Sequence, residues 1–151
     1  MKDFIIILFL FLIAFSAFSA CSQEPRAVHY GQDECESCKM IIVDNRFAAQ
    51  LVTENGKAFI FDSIECMADY TAKNSETAQQ SVLWVSSFVN PGTWINTEEA
   101  QFIRHDEIKS PMGLSLLAVK PAESEWKEGG DEYTWEEIIK WVDQSWEQRP
   151  N

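Results

Sequence analysis

The chain has 151 residues, with 12 Lys and Arg set against 24 Asp and Glu, for a formal net charge of −12. That balance excludes a nucleic-acid-binding surface, which needs clustered basic residues, and it disfavours flat electrostatic docking on anionic lipid. It suits a cationic cargo or a partner with a basic patch, although most of the charge is a solvated surface.

Lys2 gives a basic start, residues 4–15 are an almost unbroken apolar run, and Phe18-Ser19-Ala20-Cys21 ends the segment on small residues. Charge, apolar core and small-residue exit are the three parts of a secretory signal. A run of about a dozen residues is short for a hydrocarbon core of roughly 30 Å, so a cleaved leader over 1–20 is expected in preference to an uncleaved anchor. Cys21 stands where a bacterial lipobox places its lipidated cysteine, with Phe18 where Leu is commoner. Each buried methylene of an attached lipid contributes about 0.8 kcal/mol, so several acyl chains would hold Cys21 firmly on a membrane. The expected location is a membrane lipoprotein facing the periplasm or the cell surface.

Residues 21–32, with Pro25 and Gly31 and little apolar periodicity, read as a lipidated tether to a single domain over 33–151. Cys35-Glu36-Ser37-Cys38-Lys39-Met40 then places two thiols and a thioether within six residues. Such soft ligands favour Cu(I) over Mg²⁺ or Ca²⁺. With Cys21 assigned to lipid, Cys35, Cys38 and Cys66 remain, an odd thiol count for an exported chain. A Cys35–Cys38 disulfide, with Cys66 buried as a small hydrophobe, stays open beside the metal site. A zinc site would want a second cysteine or histidine pair, which the sequence lacks. A thioredoxin-type pair would want a helix after the motif, whereas Ile41-Ile42-Val43 is strand-like. The two histidines are His29, which reaches a metal only if the tether folds back, and His105, which reads as a surface residue.

Residues 47–53 and 58–61 are strand-like runs joined through Asn55-Gly56, the strongest local hairpin signal because both residues tolerate positive φ. Asp62 or Ser63 can cap a helix in which Ile64, Met67, Ala68 and Thr71 recur at helical spacing up to Asn74. Residues 82–85 read as a buried strand. After Ser110-Pro111-Met112-Gly113, residues 114–119 form another apolar strand, followed by an acidic loop ending in Gly129-Gly130. Tyr133-Thr134-Trp135 precedes a helix whose apolar face is Ile138, Ile139, Trp141, Val142 and Trp146.

The two halves align as a degenerate repeat. Met40 falls opposite Met112, Phe59-x-Phe61-Asp62 opposite Tyr133-x-Trp135-Glu136, and Ile64 and Met67 opposite Ile138 and Trp141. The expected fold is α+β, strand–strand–helix–strand used twice, over about 33–90 and 91–151. Packing about a pseudo-twofold axis would bring Met112 to the Cys35–Met40 loop; ordinary core packing is the competing reading of Met112.

Cys21, Cys35-x-x-Cys38-x-Met40, Arg46-Phe47-Ala48-Ala49-Gln50, Gly56-Lys57 leading into Phe61-Asp62-x-Ile64-x-Cys66, and Ser110-Pro111-Met112-Gly113 make one consistent set. Together they resemble the NosL family, the accessory lipoproteins of nitrous oxide reductase, over nearly the whole mature chain. The resemblance implies a fold like the organomercurial-lyase type and a Cu(I) chaperone, not an enzyme. It implies as partners nitrous oxide reductase, whose copper–sulfur centre is assembled, and the associated ABC-type membrane complex. Carried over by position, Cys35, Cys38 and Met40 match the family's Cys-x-x-Cys-x-Met and Met112 its Ser-Pro-Met-Gly, giving the expected metal ligands. Lys39 departs from the usual Gly, and a cation there would lower thiol pKa values or alter the loop. Cys66 matches a cysteine of related sequences and is not counted as a ligand. Two other readings stand beside this one: an exported thiol–disulfide oxidoreductase using Cys35 and Cys38, and a mercury-related or structural lipoprotein without copper. Met40 and Met112 separate the first of these from a copper carrier, because thiol redox chemistry has no need of thioethers.

Overall fold

The hairpin at Asn55-Gly56 forms, with β1 (Ala49–Thr53) antiparallel to β2 (Ala58–Phe61) and Ala49 opposite Phe61. Only Gly56 takes positive φ, at 78°. The Gly56 N–H donates to Thr53 O at 2.8 Å, and the Thr53 N–H to Lys57 O at 3.0 Å. This is a three-residue connection closed by a left-handed glycine, not a two-residue turn with both residues left-handed. The computed structural model describes residues 22–147. The expected leader, the lipidated Cys21 and residues 148–151 lie outside the described residues.

From β2 the chain enters α1 (Ile64–Lys73), passes through the short α2 (Ser75–Gln79), and returns as β3 (Ser81–Ser86) and β4 (Trp94–Asn96). The first sheet is antiparallel, in the order β2-β1-β3-β4. Ser63 is the N-cap of α1, its hydroxyl accepting from the Cys66 N–H at 3.2 Å. Of the two residues able to cap this helix, the hydroxyl takes the role and leaves the Asp62 carboxylate for another. The Asn74 N–H donates to Tyr70 O and ends α1.

The second sheet is antiparallel, in the order β6-β5-β7, from β5 (Gln101–Arg104), β6 (Leu116–Val119) and β7 (Asp131–Tyr133). A 3-10 segment, Pro121–Lys127, occupies the acidic loop, and α3 (Trp135–Glu147) follows β7. The architecture is α+β, as expected. Strand–strand–helix–strand is the order of the first half, with α2 inserted. In the second half β4, β5, β6 and β7 all precede the helix. Strands β4 and β5 escaped the sequence pattern because three or four residues are too few to establish a period.

Strand β6 explains its unbroken apolar run. Leu116 and Ala118 face the main core, while Leu117 and Val119 join Phe47, Ile103 and Ile108 in a second cluster. Helix α1 packs against α3, β1, β2 and β6, so it bridges the two sheets. Ile138 and Val142 of α3 are wholly buried, Trp135 lies 5.6 Å from Phe102, and Tyr133 stacks on Trp141.

Residues 22–32 contain no regular element, yet they do not hang free. Gln50 and Trp84 are cross-strand partners on β1 and β3, and both reach this segment. The Gln50 amide accepts from the Arg26 N–H at 3.0 Å and donates to Arg26 O at 2.7 Å, and Trp84 Nε1 donates to Gln23 O at 2.9 Å. Two polar groups on a sheet face need partners once covered, and the segment's backbone supplies them. The stretch expected to be a tether is therefore a strap along the first sheet.

Ser63→Ala removes the α1 cap and is expected to cost about 1 kcal/mol, read as a lowered denaturation midpoint with unchanged slope. An unchanged midpoint would show that packing alone holds the first turn of α1.

Candidate metal centre

The Cys35–Met40 segment is a tight turn inside a short hairpin. The Cys35 N–H donates to Met40 O at 2.8 Å and the Lys39 N–H to Cys35 O at 3.0 Å; one bridge pairs Glu34 with Ile41. The expected Ile41–Val43 strand shrinks to this bridge, with Ile42 buried and Val43 73% exposed. Lys39 has φ of 61°. A left-handed residue with a Cβ costs roughly 1–2 kcal/mol, which is the physical reason a glycine suits this position. The lysine keeps the turn, and its ammonium pairs with Glu36 at 3.4 Å on the surface.

The turn is fastened to β2, α1 and the junction between them through Glu36, Ser37 and its cysteines. The Glu36 N–H donates to Ile60 O at 2.8 Å, and the Ser37 hydroxyl to Asp69 at 2.9 Å. Asp62, between β2 and the α1 cap, sets its Oδ1 3.3 Å from Cys66 Sγ and 3.7 Å from Cys38 Sγ. The ligand atoms of Cys35, Cys38, Asp62 and Cys66 all lie within 4.8 Å of one another. All three thiols are free, Cys35 and Cys66 wholly buried and Cys38 half-buried. The disulfide between Cys35 and Cys38 is not formed.

The three thiols are electrostatically unequal. The Cys35 sulfur accepts hydrogen bonds from the Cys66 thiol and from the backbone N–H groups of Cys38 and Asp62, which hold it down to about 6 despite burial. Burial pushes the Cys38 thiol up to about 11, with the neighbouring Cys35 and Asp62 charges adding to the rise. Cys66 is pushed up by donating to Cys35 and by burial. One buried thiolate is thus stabilised by hydrogen bonds, and two thiols retain their protons beside it.

Met112 lies in a turn closed by the Gly113 N–H donating to Ser110 O at 3.0 Å. The Ser110 hydroxyl donates to the Glu65 carboxylate and accepts from the Ser115 N–H at 3.0 Å. Glu65 precedes Cys66 on α1 and is fully buried, and burial raises its pKa. Met112 packs, half-buried, against the core cluster that contains Cys35 and Cys66. The structure therefore joins Cys35 to Cys38 and brings the Met112 loop onto the first turn of α1. Met40, 45% exposed, stays at the surface beside Cys38. His29 faces Asp33 at 3.5 Å and His105 accepts from the Glu107 N–H at 3.3 Å; neither joins the cluster.

Sequence reasoning passed over Cys66 as a ligand and read Asp62 only as a cap. The available signal was Asp62-x-x-x-Cys66 across a helix start. A side chain just before the N-cap reaches the first turn, so this spacing sets a carboxylate beside a thiol.

The chain matches the NosL family model over residues 27–141. A solved structure, the copper chaperone NosL from Shewanella denitrificans, matches with a TM-score of 0.64 at 21% identity, covering 77% of this chain and 96% of that one. No curated protein matches the chain. Motif set, antiparallel α+β architecture and family match agree, and the chain belongs to the NosL family.

Proposed function

We propose that this chain is a membrane-anchored Cu(I) carrier that binds the ion on Cys35 and Cys38, with thioether support from Met40 and Met112, and passes it on by ligand exchange. The observation that carries this reading is the convergence of Cys35 and Cys38 with further donors inside 4.8 Å. It occurs in a family with a solved copper chaperone among its members. Thiolates are the preferred donors for Cu(I), and a thioether adds a neutral, weaker bond that is easily exchanged. Cys38 and Met40 lie on the accessible side, where an incoming sulfur of a partner displaces one ligand at a time. Lipid on Cys21 would confine the carrier to the membrane surface. The proposed client is nitrous oxide reductase, with delivery to its copper–sulfur centre alongside the ABC-type membrane complex.

The depressed pKa of Cys35 is the one feature that favours a thiol–disulfide oxidoreductase. Exposure runs the wrong way for that chemistry. An attacking cysteine needs to be both a thiolate and accessible. Here the thiolate-forming Cys35 is wholly buried, and the more accessible Cys38 keeps its proton.

Anaerobic titration of the reduced protein against a chromophoric Cu(I) chelator tests the carrier. Met40→Ile with Met112→Ile is expected to weaken binding about tenfold, or roughly 1.4 kcal/mol. Unchanged affinity would remove the thioethers from the site, and turnover of a disulfide substrate by the same variant would favour the oxidoreductase. Affinity is also expected to rise from pH 6 to pH 8, because the Cys38 thiol, near 11 in the folded chain, must lose its proton to bind. In the metal-free protein the depressed Cys35 pKa contributes stability that is full above the unfolded thiol value of about 8.5. That contribution disappears as pH falls through about 6. Thiolate ultraviolet absorption should show a step near that pH, and Cys35→Ser should abolish it.

A further inference from the structure

Cys66 lies outside the ligand set proposed above, yet its surroundings are those of a ligand. It occupies the first turn of α1, fixed by its backbone N–H on Ser63 Oγ at 3.2 Å. Its sulfur is wholly buried, 3.3 Å from Asp62 Oδ1, and that same oxygen stands 3.7 Å from Cys38 Sγ. One carboxylate oxygen therefore aims two sulfurs into the space that the Cys35 sulfur also borders. Three sulfurs around one ion, at a thiolate–metal distance of roughly 2.3 Å, stand about 4 Å apart. The four ligand atoms already lie within 4.8 Å of one another. Closing the sulfurs onto an ion needs shifts no larger than about an ångström, within reach of side-chain rotation. A cysteine serving only as a small hydrophobe has no need of a carboxylate and two more sulfurs as neighbours.

We infer that Cys66 is a third thiolate ligand, so that the ion rests in a buried three-sulfur position on Cys35, Cys38 and Cys66 and leaves by way of Cys38 and Met40. The inference rests on the Cu(I)-carrier reading and adds an order to it. Exposure increases along the series, from the wholly buried Cys35 and Cys66 to the half-buried Cys38 and then to Met40 at 45%. On entry the Cys38 and Cys66 thiols each release a proton to solvent as their Cu–S bonds form, the Cys35 thiolate binds without releasing one, and copper stays Cu(I) throughout. On exit the bond to Cys66 breaks as one to an outer sulfur forms, so the ion is never without ligands. A carrier built this way protects its cargo in the deep position and exposes it only at the rim.

The decisive measurement is copper K-edge X-ray absorption on the Cu(I)-loaded Met40→Ile, Met112→Ile protein, in which neither candidate thioether is available. Three sulfurs around copper in that variant would support the inference, and a linear two-sulfur copper would overturn it. Cys66→Ser, checked for folding by circular dichroism, gives a second readout. Copper transfer to a competing chelator should be at least tenfold faster and affinity about tenfold lower. A folded Cys66→Ser protein with parental affinity and transfer rate would overturn the inference while leaving the carrier intact. Failure of the unaltered reduced protein to take up Cu(I) would overturn the carrier itself, and the third ligand with it. Should Cys66→Ser not fold, the absorption measurement on the methionine variant decides alone.

Discussion

The site depends on the docking of one irregular turn, residues 35–39, onto the junction of β2 and α1. The turn has no strand or helix of its own to hold it. Its position comes from the Glu36 N–H on Ile60, the Ser37 hydroxyl on Asp69 and the sulfur contacts around Asp62. Backbone N–H groups of Cys38 and Asp62 aim at the Cys35 sulfur, one from each side of the junction. Separating the two pieces would take the Cys66 and Asp62 donors away from the Cys35 sulfur.

Helix α1 makes that docking surface possible because it is tied into both halves of the molecule. It packs on β1 and β2 on one side and on β6 and α3 on the other. Its N-terminal end gathers three polar groups: Asp62 before the cap, Ser63 as the cap, and Glu65 in the first turn. Burying Glu65 is unfavourable, and burial answers by favouring its neutral form. The Ser110 hydroxyl bonded to it ties the Met112 loop to the residue beside Cys66. The second half of the chain thus reaches the cysteine cluster through this buried hydrogen bond and through the packing of α1 on β6 and α3.

Charge acts at two ranges. The net charge of −12 is spread over the surface and raises the local concentration of cations without choosing among them. The sulfur cluster is governed by short-range contacts instead. Lys39 illustrates the separation. Its ammonium lies next to the site in sequence, yet it is spent on Glu36 at the surface, where the pair is screened and worth little. The low Cys35 pKa comes instead from buried hydrogen bonds, whose effect water does not weaken.

The sequence by itself determined the local elements and the soft-ligand motif. Asn55-Gly56 dictates a hairpin, the spacing of Ile64, Met67 and Ala68 dictates α1, and two cysteines three residues apart are close in any conformation of a short turn. These are consequences of neighbours along the chain. Only the tertiary structure decided that residues 22–32 are a strap, since that depends on Gln50 and Trp84 lying side by side on paired strands. It also decided that Asp62 serves sulfur while Ser63 serves the helix, and that β5 enters the second sheet between β6 and β7. Above all it brought Cys66 to Cys35 and Cys38 across a hairpin and a helix start. Side-chain meetings at such separations are set by how β2 hands the chain to α1, and no periodicity in the residues records that.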